Sequence, residues 1–448
     1  MDKQPLLNLR YTARFLVEAA TPLKVGTGEP GVNVDELICT DANGLPMIPG
    51  TALAGVLRHS LDKTLGDTLF GFQEKKKGMG SRVILSEARM VGKDGNVKDG
   101  LIPIDFTSSF YSKFKNLPIR DHVRITHRGV ADSQNSGKFD DQIVFKGCRF
   151  VFDLELKGVP DDGENWKLLL NKLQSPEFRI GGGTRKGFGE LKVLALEEET
   201  YVLENNWNDY AERSSSLSLH GLSTTANQHS ATNITAYRLE LLPDDFFGFT
   251  AGYGDTEVDS VVKKEIIITW ENETPEFAEE KILIPATSVK GAISHRVAFY
   301  YNQLVKNFAD GEANLEALTG ENNPAVQILF GSAKNSKTKK PGQRGRVILS
   351  DVYLEEVSEK IFNHVKIDQF TGGAIDSALF DEKVVHTKEQ IVLNLYVENK
   401  AFEPLHVQEA LEKALKDITT GMLPLGGHVM RGHGCFQGTV KRNGEVLA

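Results

Sequence analysis

The sequence predicts an α+β protein made of two tandem copies of one unit, and three observations carry that expectation. First, IPGTALAGVLRHSL at 48–61 is answered by IPATSVKGAISHRV at 284–297. Second, later blocks recur in the same order: LFG at 69–71 and 329–331, then SRVILSEARM at 81–90 and GRVILSDVYL at 345–354. Third, each copy closes on a glycine loop between apolar runs, FRIGGGTRKGFGELKV at 178–193 and LPLGGHVMRGHGCFQGTV at 423–440. Several blocks matched in one order mark an internal duplication.

The elements of the first copy follow from periodicity. LLNLRYTARFLVEAAT reads as a strand. TALAGVLRHSL puts Leu53, Val56, Leu57 and Leu61 on one helical face, with Thr51 as the N-cap candidate. SRVILSEARM and GCRFVFDLELKG read as strands, NWKLLLNKLQ as a second helix, and the run after the glycine loop as a last strand. The order β-α-β-β-α-β is the split-βαβ arrangement of ferredoxin-like and RNA-recognition-like units, with two helices on one sheet face and the other face available. Each copy also carries a projecting hairpin, HVRITHRGVADSQNSGKFDDQIVFKG at 122–147 and HVKIDQFTGGAIDSALFDEKVVHT at 364–387. The Ser-, Thr- and Asn-rich stretch between the copies reads as a linker, so the expected division is 1–200, linker 201–235 and 236–448.

Composition narrows the classes. Hydrophobic residues make up 40% of the 448 and charged residues 25%, enough to bury two cores. The basic start and apolar run of a signal peptide are missing, and no apolar stretch approaches the ~18 residues of a membrane span, so the expectation is a cytoplasmic protein without membrane contact. Cys39, Cys148 and Cys435 lie far apart without CxxC spacing, which indicates neither a disulfide framework nor a cysteine zinc site. A net charge of −9 argues against a free-standing nucleic-acid binder, although KKKGMGSR at 75–82 and KNSKTKKPGQRGR at 334–346 are strongly basic.

Three features could carry chemistry. In the glycine loops, glycine lets backbone N–H groups approach a phosphate, and Arg185, Lys186 or Arg431 supply charge; the plainer alternative is a tight strand connection. Asp35 stands in a glycine-rich connection, and Asp259 keeps the same distance from Gly252 that Asp35 keeps from Gly28. Such an aspartate is either a turn residue or the group that helps a ribose 2′-OH attack a phosphate, with Asp41 and Asp255 as neighbouring competitors. Phe139 and Phe380, each before acidic residues in a hairpin, either wedge into a base stack or pin the hairpin to the core. No GxxxxGK[ST], HExxH or GxSxG occurs.

Taken together, the G-x-G, aspartate and LPMIPGTALAGVLR run, the LFG–RVILS pair, the hairpin and the GGGTRKGFGELKV loop resemble the RAMP superfamily of CRISPR-associated proteins, specifically the backbone subunits of type III effector complexes. Two units in one chain resemble the fused subunit of the type III-D variants. The resemblance spans nearly all of both halves. It implies a subunit that grips guide RNA beside other effector subunits and cuts complementary target RNA by Mg²⁺-dependent 2′-OH transesterification, with Asp35 as the catalytic residue of the first copy and Asp259 its counterpart. A dedicated metal cage is not visible, so metal ligands stay unknown.

The RNA contacts it implies fall on Gly26 and Gly28 of the first connection. On the repeated helix they are Thr51, Arg58 and His59, then Thr287, Lys290 and His295. The hairpins supply Arg124, Arg128 and Phe139, and Phe380. The loops supply Gly181, Gly182, Gly183, Arg185, Lys186 and Gly187, and Gly426, Gly427, Arg431 and Gly432. Copy two departs from the pattern: its stretch from Asp259 to Ile284 is longer and Ala286 replaces glycine, which points to binding without cutting. Two other readings stay open. One is a non-catalytic RNA-holding scaffold; the other is a guide-processing nuclease that uses His428 and His433.

Overall fold

The computed structural model describes residues 6–29, 36–75, 77–123, 125–126, 130–131, 137–224, 233–309, 315–334 and 341–447. In the first unit, β1 (Leu9–Ala19) leads to helix α1 (Gly50–His59), then to two short strands, β2 (Val83–Leu85) and β3 (Arg89–Met90). A hairpin of β4 (Ile119–Val123) and β5 (Lys138–Gln142) follows, then β6 (Arg149–Gly158), α2 (Gly163–Leu173) and β7 (Leu191–Val202). The antiparallel sheet runs β7, β1, β6, β2, with β3 also on β6. SRVILSEARM is thus two strands, because Ala88 leaves the sheet to exchange hydrogen bonds with Ile48, the residue that leads into α1.

Alternation in β1 buries Phe15 and Val17 toward α1 and α2, where Leu53, Leu57, Trp166 and Leu169 meet them. Helix α1 begins at Gly50. Thr51 is therefore a first-turn residue and not the expected N-cap, since Pro49, with φ −58° and ψ 137°, supplies the carbonyl that Ala52 and Leu53 bond.

After β7 the chain forms helix α3 (Leu203–Glu212), and Ser223–Thr224 pairs on the edge of β7 as β8. These residues lie in the stretch expected as linker. They close the sheet face that the sequence left available: Arg14 bonds Asp153 and Ser214, Tyr210 bonds Glu155, and Leu217 is buried beside Val91 and Val151. The partly buried charges of that face gain their partners there.

The second unit starts at β9 (Ile234–Pro243). Next come β10 (Lys264–Glu265), a hairpin of β11 (Ile268–Glu271) and β12 (Thr274–Phe277), and β13 (Lys281–Ile284) leading into α4 (Ala286–Leu304). Then follow β14 (Val347–Leu349), β15 (Val352–Leu354), the long hairpin β16 (Ser358–Ile367) and β17 (Ala374–His386), β18 (Ile391–Glu398), α5 (Val407–Thr419) and β19 (Phe436–Arg442). Its main sheet runs β19, β9, β18, β14, which repeats the first unit's order. Its outer face carries a polar ladder in which Glu240 joins Arg238 and Lys441.

The extra residues of copy two have a clear place. The β11–β12 hairpin is an arm laid against the first unit: Ile268 donates its N–H to the carbonyl of Lys146, Trp270 Nε1 bonds the carbonyl of Gly147 at 2.7 Å, and Phe277 packs among Phe110, Phe114 and Phe145. No helix among the described residues is long and apolar enough to cross a membrane.

Candidate nucleic-acid interface

Backbone pairing fixes how the two copies correspond. Gly26 bridges Ile38 as Thr250 bridges Val262, so Asp35 and Asp259 hold matching positions in their connections. Asp35 itself, like Arg124 and Arg128, lies outside the described residues. In the loops, Gly182 donates to the carbonyl of Lys24 and Gly427 to that of Gly248, at 2.6 and 2.7 Å. Gly181 and Gly426 share positive φ, 84° and 98°, and a Cβ on either would overlap those same carbonyls. Close backbone approach therefore requires these glycines, and the Gly182 and Gly427 N–H groups are held by protein rather than offered to a phosphate.

The hairpin meets the loop through one four-group cluster, present in both units. In the first, Phe139 stacks on His122 with ring centroids 4.9 Å apart, and the Lys186 ammonium lies 4.2 Å from the same ring. His122 Nε2 lies 3.2 Å and Lys186 Nζ 3.1 Å from the buried Asp141 carboxylate, and Lys24 joins them at 2.5 Å. In the second, Phe380 stacks on His364 at 4.8 Å under the Arg431 guanidinium at 4.5 Å, and His364 and Arg431 both bond the buried Glu382. The phenylalanines sit midway along their hairpins, half-buried and pinned between imidazole and cation. Sequence reasoning did not name Asp141, Glu382, His122 or His364. The shared His-Val start and Phe-Asp-acid end of both hairpins were the available signal.

Burial opposes ionisation of Asp141, yet its bonds from His122 and Lys24 and the charge of Lys186 prevail and hold the carboxyl far below the usual range. Glu382 is depressed by the same balance, with His364, His428 and Arg431 outweighing burial. Burial lowers His428, which sits 3.0 Å from Glu382 and favours its neutral form; His433 stands 3.4 Å from the same carboxylate.

The aspartate connection lies against this cluster in the second unit. Asp259 is exposed, and its Oδ2 accepts the N–H of Asp381, between Phe380 and Glu382, at 3.0 Å. In the first unit Glu36, next to Asp35, accepts the Gly28 N–H and stands 3.6 Å from Lys24, which binds Asp141. The competitors are turn residues: Asp41 accepts the N–H groups of Asn43 and Leu45, and Asp255 those of Glu257 and Val258.

The remaining candidates divide. Thr51, His59 and His295 are exposed on the repeated helices; His59 Nδ1 lies 2.6 Å from the Gly55 carbonyl, and Arg58 pairs with Asp67. Thr287 is half-buried in the first turn of α4. Arg185 and Lys290 face the junction between the units: Arg185 bonds Glu398 and the Gly345 carbonyl, and Lys290 donates to the Arg185 carbonyl. Burial, followed by Arg185 and Lys186, brings Lys290 down to about 8. Arg120 completes the junction from β4, bidentate on Glu265 and 2.5 Å from Asp351.

Two antiparallel units that each dock a projecting hairpin on a glycine loop beside an aspartate connection define a tandem α/β protein of one repeated site. The RAMP superfamily model matches residues 16–192 and 268–437, and the chain belongs to that superfamily, whose members are generally CRISPR-associated, RNA-binding proteins and include some ribonucleases. No curated protein matches the chain.

Proposed function

We propose that this chain is a backbone subunit of a type III CRISPR ribonucleoprotein, with two ferredoxin-like RAMP units that hold guide RNA and a first unit that cleaves complementary target RNA. The observation that carries the reading is the repeated apposition of aspartate connection, hairpin cluster and glycine loop within a chain that the superfamily model matches in both halves. In the proposed reaction the Asp35 carboxylate takes the proton of a ribose 2′-OH. The 2′-oxygen then bonds phosphorus, the P–O5′ bond breaks, and the products are a cyclic phosphate and a 5′-OH that gains a proton from solvent.

A divalent ion such as Mg²⁺ is expected from the family. Among the described residues no cluster of three or more His, Cys, Asp or Glu side chains could hold one, so no step is assigned to it. Guide pairing would give specificity while the protein reads backbone and shape. The proposed setting is the cytoplasm, with guide RNA, target RNA and other effector subunits as partners.

The second unit is read as binding without cutting, because Asp259 already accepts the Asp381 N–H. The test assembles the chain with its genomic neighbours and a guide, then adds labelled complementary RNA with and without EDTA. Asp35→Ala erases one cut while binding persists, and Asp259→Ala leaves the products unchanged. Identical products from wild type and Asp35→Ala would leave the non-catalytic scaffold as the correct reading.

A further inference from the structure

The two units tie their aspartate connections to their hairpins by different means. In the second unit the tie is made by the backbone. Ser260 donates its N–H to the Asp381 carbonyl, Lys383 donates to the Ser260 carbonyl at 2.8 Å, and the Asp259 carboxylate accepts the Asp381 N–H. The aspartate itself is part of the tie. In the first unit a side chain makes it: the mostly buried Lys24 sets its ammonium 2.5 Å from Asp141 of the hairpin and 3.6 Å from Glu36 of the connection. Glu36 is anchored a second time by the Gly28 N–H at 3.2 Å, and a Cβ on Gly26 would overlap its carboxyl. From the hairpin, Gln142 Oε1 accepts the Ile38 N–H at 3.0 Å.

Matched positions show that this ammonium belongs to one unit alone. Leu23 bridges Val144 as Phe247 bridges Val385, so Lys24 corresponds to Gly248; Gly26–Ile38 against Thr250–Val262 places Glu36 opposite Ser260. The cluster that the units share does not need the lysine. Glu382 is held by His364 and Arg431, and their counterparts His122 and Lys186 already stand at Asp141. What Lys24 adds is the reach to Glu36, the residue that follows Asp35 in the chain. Burial opposes the charge of Lys24, yet Asp141 and Glu36 prevail and raise it above an ordinary lysine, so the tether is ionic at neutral pH.

We infer that Lys24 is a positioning residue for the cut made by the first unit: it fixes the connection at Glu36, and through that neighbour sets where the Asp35 carboxylate stands. The inference rests on the reading of Asp35 as the catalytic base. Lys24 itself touches no reacting atom and moves no proton. A tether through the adjacent residue makes no use of the aspartate's own carboxylate, whereas the second unit's tie engages Asp259 directly. A base misplaced by ~1 Å slows a reaction on the order of 100-fold, which sets the size of the effect.

The test assembles the full chain with its genomic neighbours and a guide, and follows single-turnover cleavage of labelled complementary RNA at saturating complex, so that the rate is read apart from binding. Lys24→Met is expected to slow the first-unit cut about 100-fold with the target Kd unchanged, and Lys24→Arg to recover most of the rate. Glu36→Gln, which keeps the Lys24–Asp141 pair, is expected to slow the same cut on the order of 10-fold. A wild-type rate in Glu36→Gln would overturn the inference, because Lys24 would then serve Asp141 alone; so would a Lys24→Met defect confined to binding. If Lys24→Met does not assemble, Glu36→Gln decides. Asp35→Ala is run in parallel. A cut that survives it sinks the proposed function and this inference together, whereas a cut that it erases but Lys24→Met and Glu36→Gln leave intact sinks the positioning role alone.

Discussion

The two hairpin-and-loop ends of this molecule share an interior and differ in their surroundings. Imidazole, phenyl ring, cation and buried carboxylate recur as His122, Phe139, Lys186 and Asp141, and as His364, Phe380, Arg431 and Glu382. Around the first cluster, Arg120 and Arg185 reach across to the second unit; around the second, Phe362 and Met430 stand in their places. The cluster fastens a hairpin to its own unit, so it tolerates only like-for-like exchange. Residues one step farther out diverge: in the first unit they reach the second unit, and in the second unit they are apolar.

That comparison can be broken at Arg120. Arg120→Ala takes the guanidinium away from the buried Asp351 and the half-buried Glu265 and is expected to cost about 3–5 kcal/mol in denaturant unfolding, with the units separating into two transitions. Phe362→Ala, at the matching half-buried position, costs about 2 kcal/mol or less. Equal losses would mean that the junction contributes no more than an ordinary hairpin contact.

A second pair sharpens it. A Cβ on Gly187 would lie 2.7 Å from both Ala286 Cβ and Asp351 Oδ1, whereas one on Gly432 meets nothing within 4 Å. Both glycines have positive φ, 103° and 89°. Gly432→Ala therefore carries only the backbone penalty of about 1–2 kcal/mol, and Gly187→Ala adds about 1–3 kcal/mol of overpacking. Thermal unfolding of the two variants measures the difference.

The smallest effect is in pH. Both cluster carboxyls have folded-state values below their unfolded ones, so their stabilisation is complete above the unfolded value of about 4 and fades as pH falls through the folded value. Acid titration of stability should flatten in Asp141→Asn, which also loses about 2 kcal/mol at neutral pH. Glu382→Gln should flatten it less, since no lysine equivalent to Lys24 stands there: the matched residue is Gly248. An unchanged slope in both variants would remove the carboxylates from the account.

Much of this architecture is readable from the chain because periodicity and repetition are local signals. The burial of Leu53 and Leu57 on α1 follows from spacing alone. Helix α3 does not, since ENNWNDYAE buries no residue and is held to the sheet by Tyr210 on Glu155, with Arg213 just past its end on Asp153. The arm registered only as extra length between Asp259 and Ile284; that Phe277 would enter the other unit's aromatic cluster depends on residues far away in sequence. The site was legible by segment. The bonds that tie Lys186 to Asp141, or Arg185 to Glu398, join residues that only the folded chain brings together.

The arm also has a consequence for synthesis. Phe110, Phe114 and Phe145 are completed by Phe277 and Ile268, residues that follow the whole first unit in the chain. A ribosome that has finished the first unit has therefore made an aromatic seat with no lid, and it keeps that seat open until the arm emerges. A gene divided within the linker would release a first half with this adhesive patch exposed, prone to aggregation as unfinished domains are.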